Sequence, residues 1–284
     1  MSRGGALMTE QLHLTLIGCG NMGSALLAGW LNIEQIAHIT IIDPDPQLPA
    51  AAHRDQRVKV FRDMAELARQ EDNTRCDICL LAVKPQIMSD MMQSLNETGL
   101  RADIVISVAA GITIDTIRQK LPRGPAIVRV MPNTPSLIGQ GVLAVCPGDD
   151  LSQARENDIQ SLLQVCGHVF WLDTETHMNA VTAVSGSGPA YVFAMIEALA
   201  EAGRHEGLPD DLAAQLARRT VEGAAGLSAH NADTDITQLR RHVTSPGGTT
   251  EAGLKALLDT TQGLTPLLTR TVSAARQRGD DLGS

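Results

Sequence analysis

The sequence has few aromatic side chains and an excess of negative charge. Phe, Trp and Tyr make up 2% of its 284 residues. So few rings argue against a surface that stacks nucleotide bases. Lys and Arg number 23 against 32 Asp and Glu, so the net charge is −9, and such a chain repels phosphate backbones and anionic lipid surfaces. We therefore expect neither nucleic acid nor a membrane as a partner.

Long apolar runs and a secretory leader are also missing. No uninterrupted run of about 18 apolar residues predicts a membrane-spanning helix, and residues 1–10 lack the pattern of a secretory signal, so we expect them to form a ragged tail. The five cysteines are odd in number and scattered, which favours reduced thiols and a cytoplasmic location. Cys76 and Cys79 fall on a predicted strand, where alternation places them on opposite faces as ordinary thiols. No metal site is expected.

Short runs rich in Ile, Val and Leu alternate with helical patterns as far as Leu172. The predicted strands are 12–17, 38–42, 77–83, 103–108, 126–130, 142–146 and 168–172. The predicted helices are 22–31, 65–68, 86–95, 114–121 and 152–166. This alternation predicts an α/β fold, with a doubly wound parallel sheet over residues 1–172.

Residues 173–284 show helical patterns alone. The predicted helices are 189–202, 209–228, 236–243, 250–259 and 264–278. Several are apolar around much of their circumference, as between Tyr191 and Ala200. Because a small helical domain cannot bury that much apolar surface by itself, we expect an all-α domain that forms an obligate dimer.

A glycine fingerprint follows the first predicted strand and opens the first predicted helix. It reads Gly18-Cys19-Gly20-Asn21-Met22-Gly23. In this context Gly18 permits a tight turn, Gly20 the close approach of a pyrophosphate, and Gly23 close helix–strand packing. Asp43 ends the second strand about 20 residues later, where a carboxylate binds a ribose 2′-hydroxyl and repels a 2′-phosphate. The sequence therefore favours NAD(H) over NADP(H).

Small and polar residues follow other strands at the same predicted edge. Ligands of such sheets bind beyond the carboxyl ends of the strands, so we expect these residues beside the cofactor. They are Ala82, Val83, Lys84, Pro85, Ala109 and Asn133. For Ala109 and Asn133, ordinary turn chemistry is the alternative.

Two glycine-rich turns precede helices in the second region. One reads Ser245-Pro246-Gly247-Gly248-Thr249-Thr250, and the other reads Ser185-Gly186-Ser187-Gly188-Pro189. Backbone N–H groups and hydroxyls at such helix starts bind small anions such as carboxylates, with simple capping as the alternative. A pyrophosphate cradle combined with a carboxylate site favours a dehydrogenase of an amino-acid-like molecule.

Five stretches, in the same order, resemble the pyrroline-5-carboxylate reductase family of proline biosynthesis. They are Ile17–Gly23, Ala82–Pro85, Arg129–Pro135, Ser185–Tyr191 and Ser245–Thr250. The resemblance covers nearly the whole chain. It implies a Rossmann-type domain followed by a helical dimerisation and substrate domain over 173–284, with decamers in some members.

The resemblance also implies the reaction, which is reduction of 1-pyrroline-5-carboxylate to L-proline by hydride transfer from NADPH or NADH. The substrate carboxylate would bind the Ser245 hydroxyl and backbone N–H groups around Gly248 and Thr249, and the catalytic Thr250 hydroxyl would face the ring nitrogen. The implied substrate-binding residues are Ser185, Gly186, Ser187, Ser245, Gly247, Gly248, Thr249 and Thr250.

The chain departs from the family at the expected adenosine end of the cofactor. Members often carry Ser or a basic residue where this chain has Asp43-Pro44-Asp45, and Asn where it has Arg62-Asp63, which argues against the usual NADPH preference.

Three alternatives share the fold: a non-catalytic NAD(P)-binding sensor, a β-hydroxyacid dehydrogenase, and a dehydrogenase of another cyclic imine. The second anion site argues against the sensor. A β-hydroxyacid dehydrogenase is expected to carry a catalytic lysine on a helix after the Rossmann domain. Lys255 is the only lysine after Lys120, and it lies within the helix that begins at the Ser245–Thr250 turn, which argues against this alternative.

Overall fold

The computed structural model describes residues 11–70, 75–121, 124–149 and 151–282, so the predicted tail over 1–10 lies outside the described residues. The chain forms two compact units. One contains the residues up to Gly186 together with those from Arg276 onward, and the other is Ser187–Ala275. The boundary near Leu172 stays a prediction about the division into functional domains.

Eight strands form one sheet in the first unit. They are β1 (Leu12–Ile17), β2 (Ile36–Ile42), β3 (Val58–Phe61), β4 (Arg75–Leu81), β5 (Arg101–Ser107), β6 (Ala126–Met131), β7 (Gly141–Pro147) and β8 (Gly167–Trp171). Their order is β3-β2-β1-β4-β5-β6-β7-β8, and only the β6–β7 pair is antiparallel. The chain winds outward from β1 in both directions, which confirms the doubly wound fold class. The reversal at β7 adds an antiparallel edge to the expected parallel sheet.

Helices cover both faces of this sheet. They are α1 (Asn21–Trp30), α2 (Met64–Ala68), α3 (Met88–Thr98), α4 (Ile114–Lys120), α5 (Gln153–Gln164) and α6 (Met178–Val181). Trp30 of α1 and Leu162 of α5 lie in the core of one face, where Trp30 Nε1 donates to the Leu162 carbonyl at 2.8 Å. Met92 of α3 and Ile117 of α4 lie in the core of the other. Two apolar layers therefore hold the strand ends in fixed positions.

The sequence patterns miss β3 and the helical run after β8. β3 is a four-residue edge strand whose Lys59 and Val60 are exposed, so it lacks the continuous apolar run of its neighbours. After β8, α6 continues into a π-helical segment, Thr182–Gly186, which we call the π segment. Its glycine and serine residues are typical of a turn, which is what the sequence predicts there.

The expectation that Cys76 and Cys79 point to opposite faces is wrong. Both are buried in the same core cluster. Asp77 lies between them in sequence, and its carboxylate accepts a hydrogen bond from the backbone N–H of His13 at 2.8 Å. A hydrogen bond with Cys79 lowers the pKa of Cys76, so the two thiols are neighbours in the core.

The second unit is helical, as expected. It contains α7 (Gly188–His205), α8 (Asp210–His230), α9 (Ile236–His242), α10 (Thr249–Leu257) and the first part of α11 (Leu264–Leu282). The last turns of α11 belong to the first unit. There, Asn179 Nδ2 donates to Asp280 Oδ1 at 2.8 Å, and a Cβ on Gly111 would lie 3.5 Å from the Leu282 carbonyl oxygen. The end of the chain therefore packs beside the loop that follows β5.

Large apolar side chains of the second unit are exposed in the single chain. Phe193 of α7 is 62% exposed and Leu216 of α8 is 48% exposed. The segment Glu175–His205 is also long and apolar enough to cross a membrane by length and composition, although polar residues interrupt its apolar runs. One such helix is weak evidence for a span, because a helix covered by a partner subunit has the same composition.

Candidate functional site

The turn after β1 is shaped by a close backbone contact that only glycine permits. Gly18 has a φ of +91°, and a Cβ at this position would lie 2.7 Å from the carbonyl oxygen of Ala82. The backbone N–H of Gly18 donates to the Ile42 carbonyl at 2.9 Å. The loop is thereby fixed between the carboxyl ends of β2 and β4, where a ligand of this fold binds.

The other two glycines of the fingerprint have different surroundings. A Cβ on Gly23 would lie 2.3 Å from the Gly18 carbonyl oxygen, so Gly23 permits α1 to pack against the loop. A Cβ on Gly20 would meet no atom within 4 Å. Helical hydrogen bonding begins at Ser24, whose N–H donates to the Gly20 carbonyl at 2.8 Å. The open space at Gly20 and the N–H groups at the start of α1 fit a pyrophosphate.

Asp43 lies at the carboxyl end of β2 and is tied to the glycine loop. Its Oδ2 accepts from the backbone N–H of Cys19 at 2.7 Å, and its Oδ1 accepts from the N–H of Asp45 at 2.8 Å. The backbone of Gln47 donates to the Cys19 carbonyl at 2.8 Å. A carboxylate has about four acceptor positions, so Asp43 retains capacity for ribose hydroxyls while its orientation is fixed by two backbone donors.

The Cys19 side chain faces the core and does not face a ligand. It is fully buried, and its thiol lies 3.9 Å from the Gln47 carbonyl. Burial and then the negative charge of Asp43 raise the pKa of this thiol to about 11. Cys19 is therefore protonated at neutral pH, and its contribution to a cofactor site is confined to the backbone.

The ends of β4 and β5 lie beside the glycine loop. Ala82 donates its N–H to the Ile17 carbonyl at 2.7 Å, and Val108 donates to the Leu81 carbonyl at 3.1 Å. Lys84 is exposed at the start of a 3₁₀ turn, whereas Ala109 is buried. The structure thus brings the predicted segment Ala82–Pro85 and Ala109 to the same sheet edge as the fingerprint.

Asn133 follows β6 and is buried, with 8% of its surface exposed. Its Nδ2 donates to the Ser185 carbonyl at 3.0 Å, and its Oδ1 accepts from the backbone N–H of Val142 at 2.9 Å. One donor and one acceptor of the amide are therefore used by the protein itself. The prediction that Asn133 binds the cofactor remains untested, and the observed contacts give it a structural task that the sequence does not reveal.

The first glycine–serine turn is helical. Ser185 and Gly186 belong to the π segment, and Ser187 is the residue before α7. The Ser185 hydroxyl donates to the Val181 carbonyl at 3.0 Å and keeps its acceptor lone pairs. A Cβ on Gly186 would lie 3.0 Å from Cε of Met131, so this glycine permits close packing on the end of β6.

The second glycine-rich turn starts α10 in the other compact unit. The N–H of Gly248 donates to the Ser245 carbonyl at 3.0 Å, and the N–H of Gly247 donates to the Glu251 carboxylate at 2.7 Å. The helical ladder begins at Ala252, which donates to the Gly248 carbonyl at 3.2 Å. The N–H groups of Thr249, Thr250 and Glu251 therefore precede the ladder and can bind an anion. The backbone N–H of Gly248, which was also predicted to bind the substrate carboxylate, is already used by a hydrogen bond within the turn.

The sequence does not predict an ion pair that involves a buried arginine of β6. Arg129 of β6 has only 5% of its side chain exposed and lies 2.7 Å from Glu175. The same Glu175 oxygen accepts from the N–H of Ile114 at 3.0 Å. An arginine inside an apolar strand was the available signal, since a buried charge requires a partner. Within the described ranges, no group of three or more His, Cys, Asp or Glu side chains could hold a metal ion.

Family models match both parts of the chain. Residues 175–282 match the pyrroline-5-carboxylate reductase dimerisation family, and residues 13–111 match the family of NADP oxidoreductases that depend on coenzyme F420. A pyrroline-5-carboxylate reductase of Pseudomonas aeruginosa is 35% identical over 272 residues, covering 95% of this chain and 96% of the relative. The Synechocystis enzyme of the same name is 36% identical over 272 residues, covering 96% and 98%.

The chain belongs to the pyrroline-5-carboxylate reductase family. Solved structures agree with this assignment. The reductase of Coxiella burnetii matches with a TM-score of 0.84 and 30% identity over 97% of this chain and 100% of its own. The Plasmodium falciparum pyrroline carboxylate reductase, solved with NADP bound, matches with a TM-score of 0.75 and 28% identity over 98% and 100%. The family resemblance inferred from the five stretches is thereby confirmed.

Replacement of two fingerprint glycines by alanine should separate cofactor binding from folding. Gly20→Ala should weaken NAD(P)H binding about tenfold or more, because the added methyl occupies the pyrophosphate position, yet change the free energy of unfolding by less than about 1 kcal/mol. Gly23→Ala should instead cost about 1–3 kcal/mol of stability through overpacking against the Gly18 carbonyl. Cofactor titration by nucleotide fluorescence and urea unfolding measure the two effects. Unchanged nucleotide affinity in Gly20→Ala would exclude the assigned pyrophosphate position.

Proposed function

We propose that this protein reduces 1-pyrroline-5-carboxylate to L-proline with NAD(P)H, the last step of proline biosynthesis. The observation that carries the proposal is the combination of a dinucleotide cradle at the β1–α1 turn with an anion-binding start of α10 in a chain of this reductase family. A nucleotide-binding sensor needs no second anion site, and the similar proteins are named as reductases of this substrate.

The cofactor would be held by backbone more than by side chains. The start of α1 and the open space at Gly20 fit the pyrophosphate, and the Asp43 carboxylate, held by the Cys19 N–H, would bind the adenosine ribose. Lys84 and Ala109 line the same sheet edge. When bound, the reduced nicotinamide supplies a hydride to the imine carbon of the substrate.

The substrate would be held by the turn before α10. The N–H groups that precede the helical ladder, together with the Ser245 hydroxyl, bind the carboxylate, and the positive end of the helix dipole favours the anion. The Thr250 hydroxyl orients the ring nitrogen. A cyclic imine is basic enough to be protonated near neutral pH, so the site needs positioned hydrogen bonds more than a strong acid. Ser185, Gly186 and Ser187 line the ring.

Cofactor choice follows from the charge at the end of β2. Asp43 and the exposed Asp45 place two carboxylates where the 2′-phosphate of NADPH would bind, which supports a preference for NADH. We expect turnover of 1-pyrroline-5-carboxylate with both nucleotides and a higher kcat/KM with NADH, followed by nicotinamide absorbance. Absence of turnover with either nucleotide, despite measurable nucleotide binding, would exclude the proposed reaction.

The Asp43→Asn variant removes the charge while the amide oxygen still accepts from the Cys19 N–H, although the hydrogen bond from the Asp45 N–H is lost. The variant should lower the KM for NADPH about tenfold, equivalent to about 1.4 kcal/mol, since repulsion of the 2′-phosphate is removed. Asp233→Asn, at an exposed position shortly before α9, is the matched control for a change of net charge alone. An NADPH KM that changes equally in both variants would show that Asp43 has no specific role in cofactor choice.

Thr250→Ala should lower kcat/KM for 1-pyrroline-5-carboxylate by about tenfold to a hundredfold, the size of one or two hydrogen bonds lost from a transition state. Steady-state kinetics with saturating nucleotide measure the effect. Thr98→Ala is the control, because its hydroxyl donates to the Ser94 carbonyl within α3 and has no proposed contact with substrate. Kinetics of Thr250→Ala that match those of the control would remove Thr250 from the mechanism.

The helical unit should form a homodimer, with a decamer as the larger assembly expected from the family resemblance. The exposed apolar side chains of α7 and α8 lie within the matched dimerisation region, and their burial would stabilise a partner contact. Phe193→Asp should therefore dissociate the assembly to the 30.2 kDa chain, measured by light scattering. Val60→Asp, an exposed apolar residue on β3, should leave the assembly intact. A purely monomeric wild-type protein at micromolar concentration would contradict this assignment.

The reduced, buried thiols support a cytoplasmic location.

A further inference from the structure

The Asn133 amide connects two backbone segments of the first unit. It donates to the Ser185 carbonyl of the π segment at 3.0 Å and accepts from Val142, at the start of β7, at 2.9 Å. Only a side chain with both a donor and an acceptor makes these two bonds, and the neutral amide does so at a buried position without the cost of a charge. The sheet and the π segment are thereby joined by one side chain.

The two hydroxyls of the π segment do not make this connection. Thr182 Oγ1 donates to the Met178 carbonyl at 2.8 Å, and Ser185 Oγ donates to the Val181 carbonyl at 3.0 Å. Both bonds run backward along the same helical run. A π-helical turn departs from the regular α-helical ladder and is frequent at functional positions, so its geometry depends on contacts from outside the helix.

An apolar contact at the end of β6 holds the same π segment as the Asn133 hydrogen bond does. Gly186 approaches Met131 so closely that an added Cβ would lie 3.0 Å from its Cε. Met131 ends β6, and Asn133 follows two positions later. The end of β6 therefore contacts the π segment through one apolar contact and one hydrogen bond, at the residues that precede α7.

We propose that Asn133 is a positioning residue that sets the π segment, and with it Ser185 and Gly186, for the substrate ring. The proposal rests on the proposed function, in which these residues line the substrate. Asn133 acts through the Ser185 carbonyl and not by direct contact with the nucleotide. Its loss should affect substrate use more than nucleotide binding.

The Asn133→Asp variant tests this with a nearly isosteric side chain. The carboxylate still accepts from the Val142 N–H but faces the Ser185 carbonyl without a proton to donate. We expect kcat/KM for 1-pyrroline-5-carboxylate to fall about tenfold to a hundredfold, mainly through KM, while nucleotide Kd measured without substrate changes less than about threefold. Amide hydrogen exchange of the peptide spanning Thr182–Ala190 should become faster.

A pH profile adds a readout that general damage to the protein would not give. A protonated carboxyl group regains the donor, and burial raises the pKa of such a group. The activity of Asn133→Asp relative to wild type should therefore recover as the pH falls towards about 5, in the range to which burial raises a carboxyl pKa. The charged side chain on the preceding strand, β6, is Arg129, which is already paired with Glu175 at 2.7 Å.

Ser136→Ala is the matched control. The Ser136 hydroxyl lies in the next turn, is buried and has no hydrogen-bond partner in the part of the chain that the structure describes, so its removal should leave both kinetics and exchange unchanged. If Asn133→Asp does not fold, Asn133→Ser carries the same test, because its shorter side chain cannot span both partners.

The outcomes separate this proposal from the proposed function. Wild-type exchange in the π segment of the Asn133 variant would overturn the positioning role, whatever the activity. Equal losses of nucleotide and substrate affinity would assign Asn133 to cofactor contact. The wild-type protein could fail to turn over 1-pyrroline-5-carboxylate while the Asn133→Asp variant still shows faster exchange in the π segment. That result would leave the positioning role intact and refute only the proposed substrate.

Discussion

The contact between Gly18 and the carbonyl of Ala82 constrains much of the first unit. A side chain at Gly18 would collide with the backbone at the end of β4, and the positive φ of this residue turns the chain into α1. That turn places the N–H of Cys19 against the Asp43 carboxylate and the carbonyl of Gly18 against Gly23. One steric requirement therefore shapes the turn into α1 and the contact of this turn with the acidic residue after β2. The features that define a dinucleotide site depend on a backbone contact more than on any reactive side chain.

Sequence periodicity was sufficient for the core of this architecture. The long apolar strands β1, β4 and β5 and the amphipathic α1 were predicted to within a few residues, because the strands are buried over most of their length and α1 buries one face. β3 escaped prediction because an edge strand with an exposed lysine has no apolar run. The π segment was not predicted, because glycine and serine are typical of turns. Its helical form depends on packing against the sheet, which the local sequence does not report.

Site residues show a similar division. The fingerprint and the glycine-rich start of α10 were recognisable as helix starts, since their chemistry is local to a few adjacent residues. The contacts of Asn133 and the pairing of Arg129 with Glu175 connect residues distant in sequence, and no local pattern reports them. The neighbouring thiols of Cys76 and Cys79 belong to the same class, because the spacing of strand residues does not reveal their contact in the core. Local chemistry can thus be inferred from spacing, whereas the partners of buried polar groups require the fold.

The return of the chain end to the first unit has a consequence for synthesis. Asp280 bonds to Asn179, and Leu282 lies beside Gly111, so the unit that begins at the N-terminus also contains the last turns of α11. The residues Ser187–Ala275 are in this sense an insertion within one folding unit. During translation, residues up to Leu282 must leave the ribosome before the loop after β5 acquires this neighbour. The unit with the cofactor fingerprint therefore completes its packing after the second helical unit has emerged, which reverses the N-terminal-first order usual for multidomain chains.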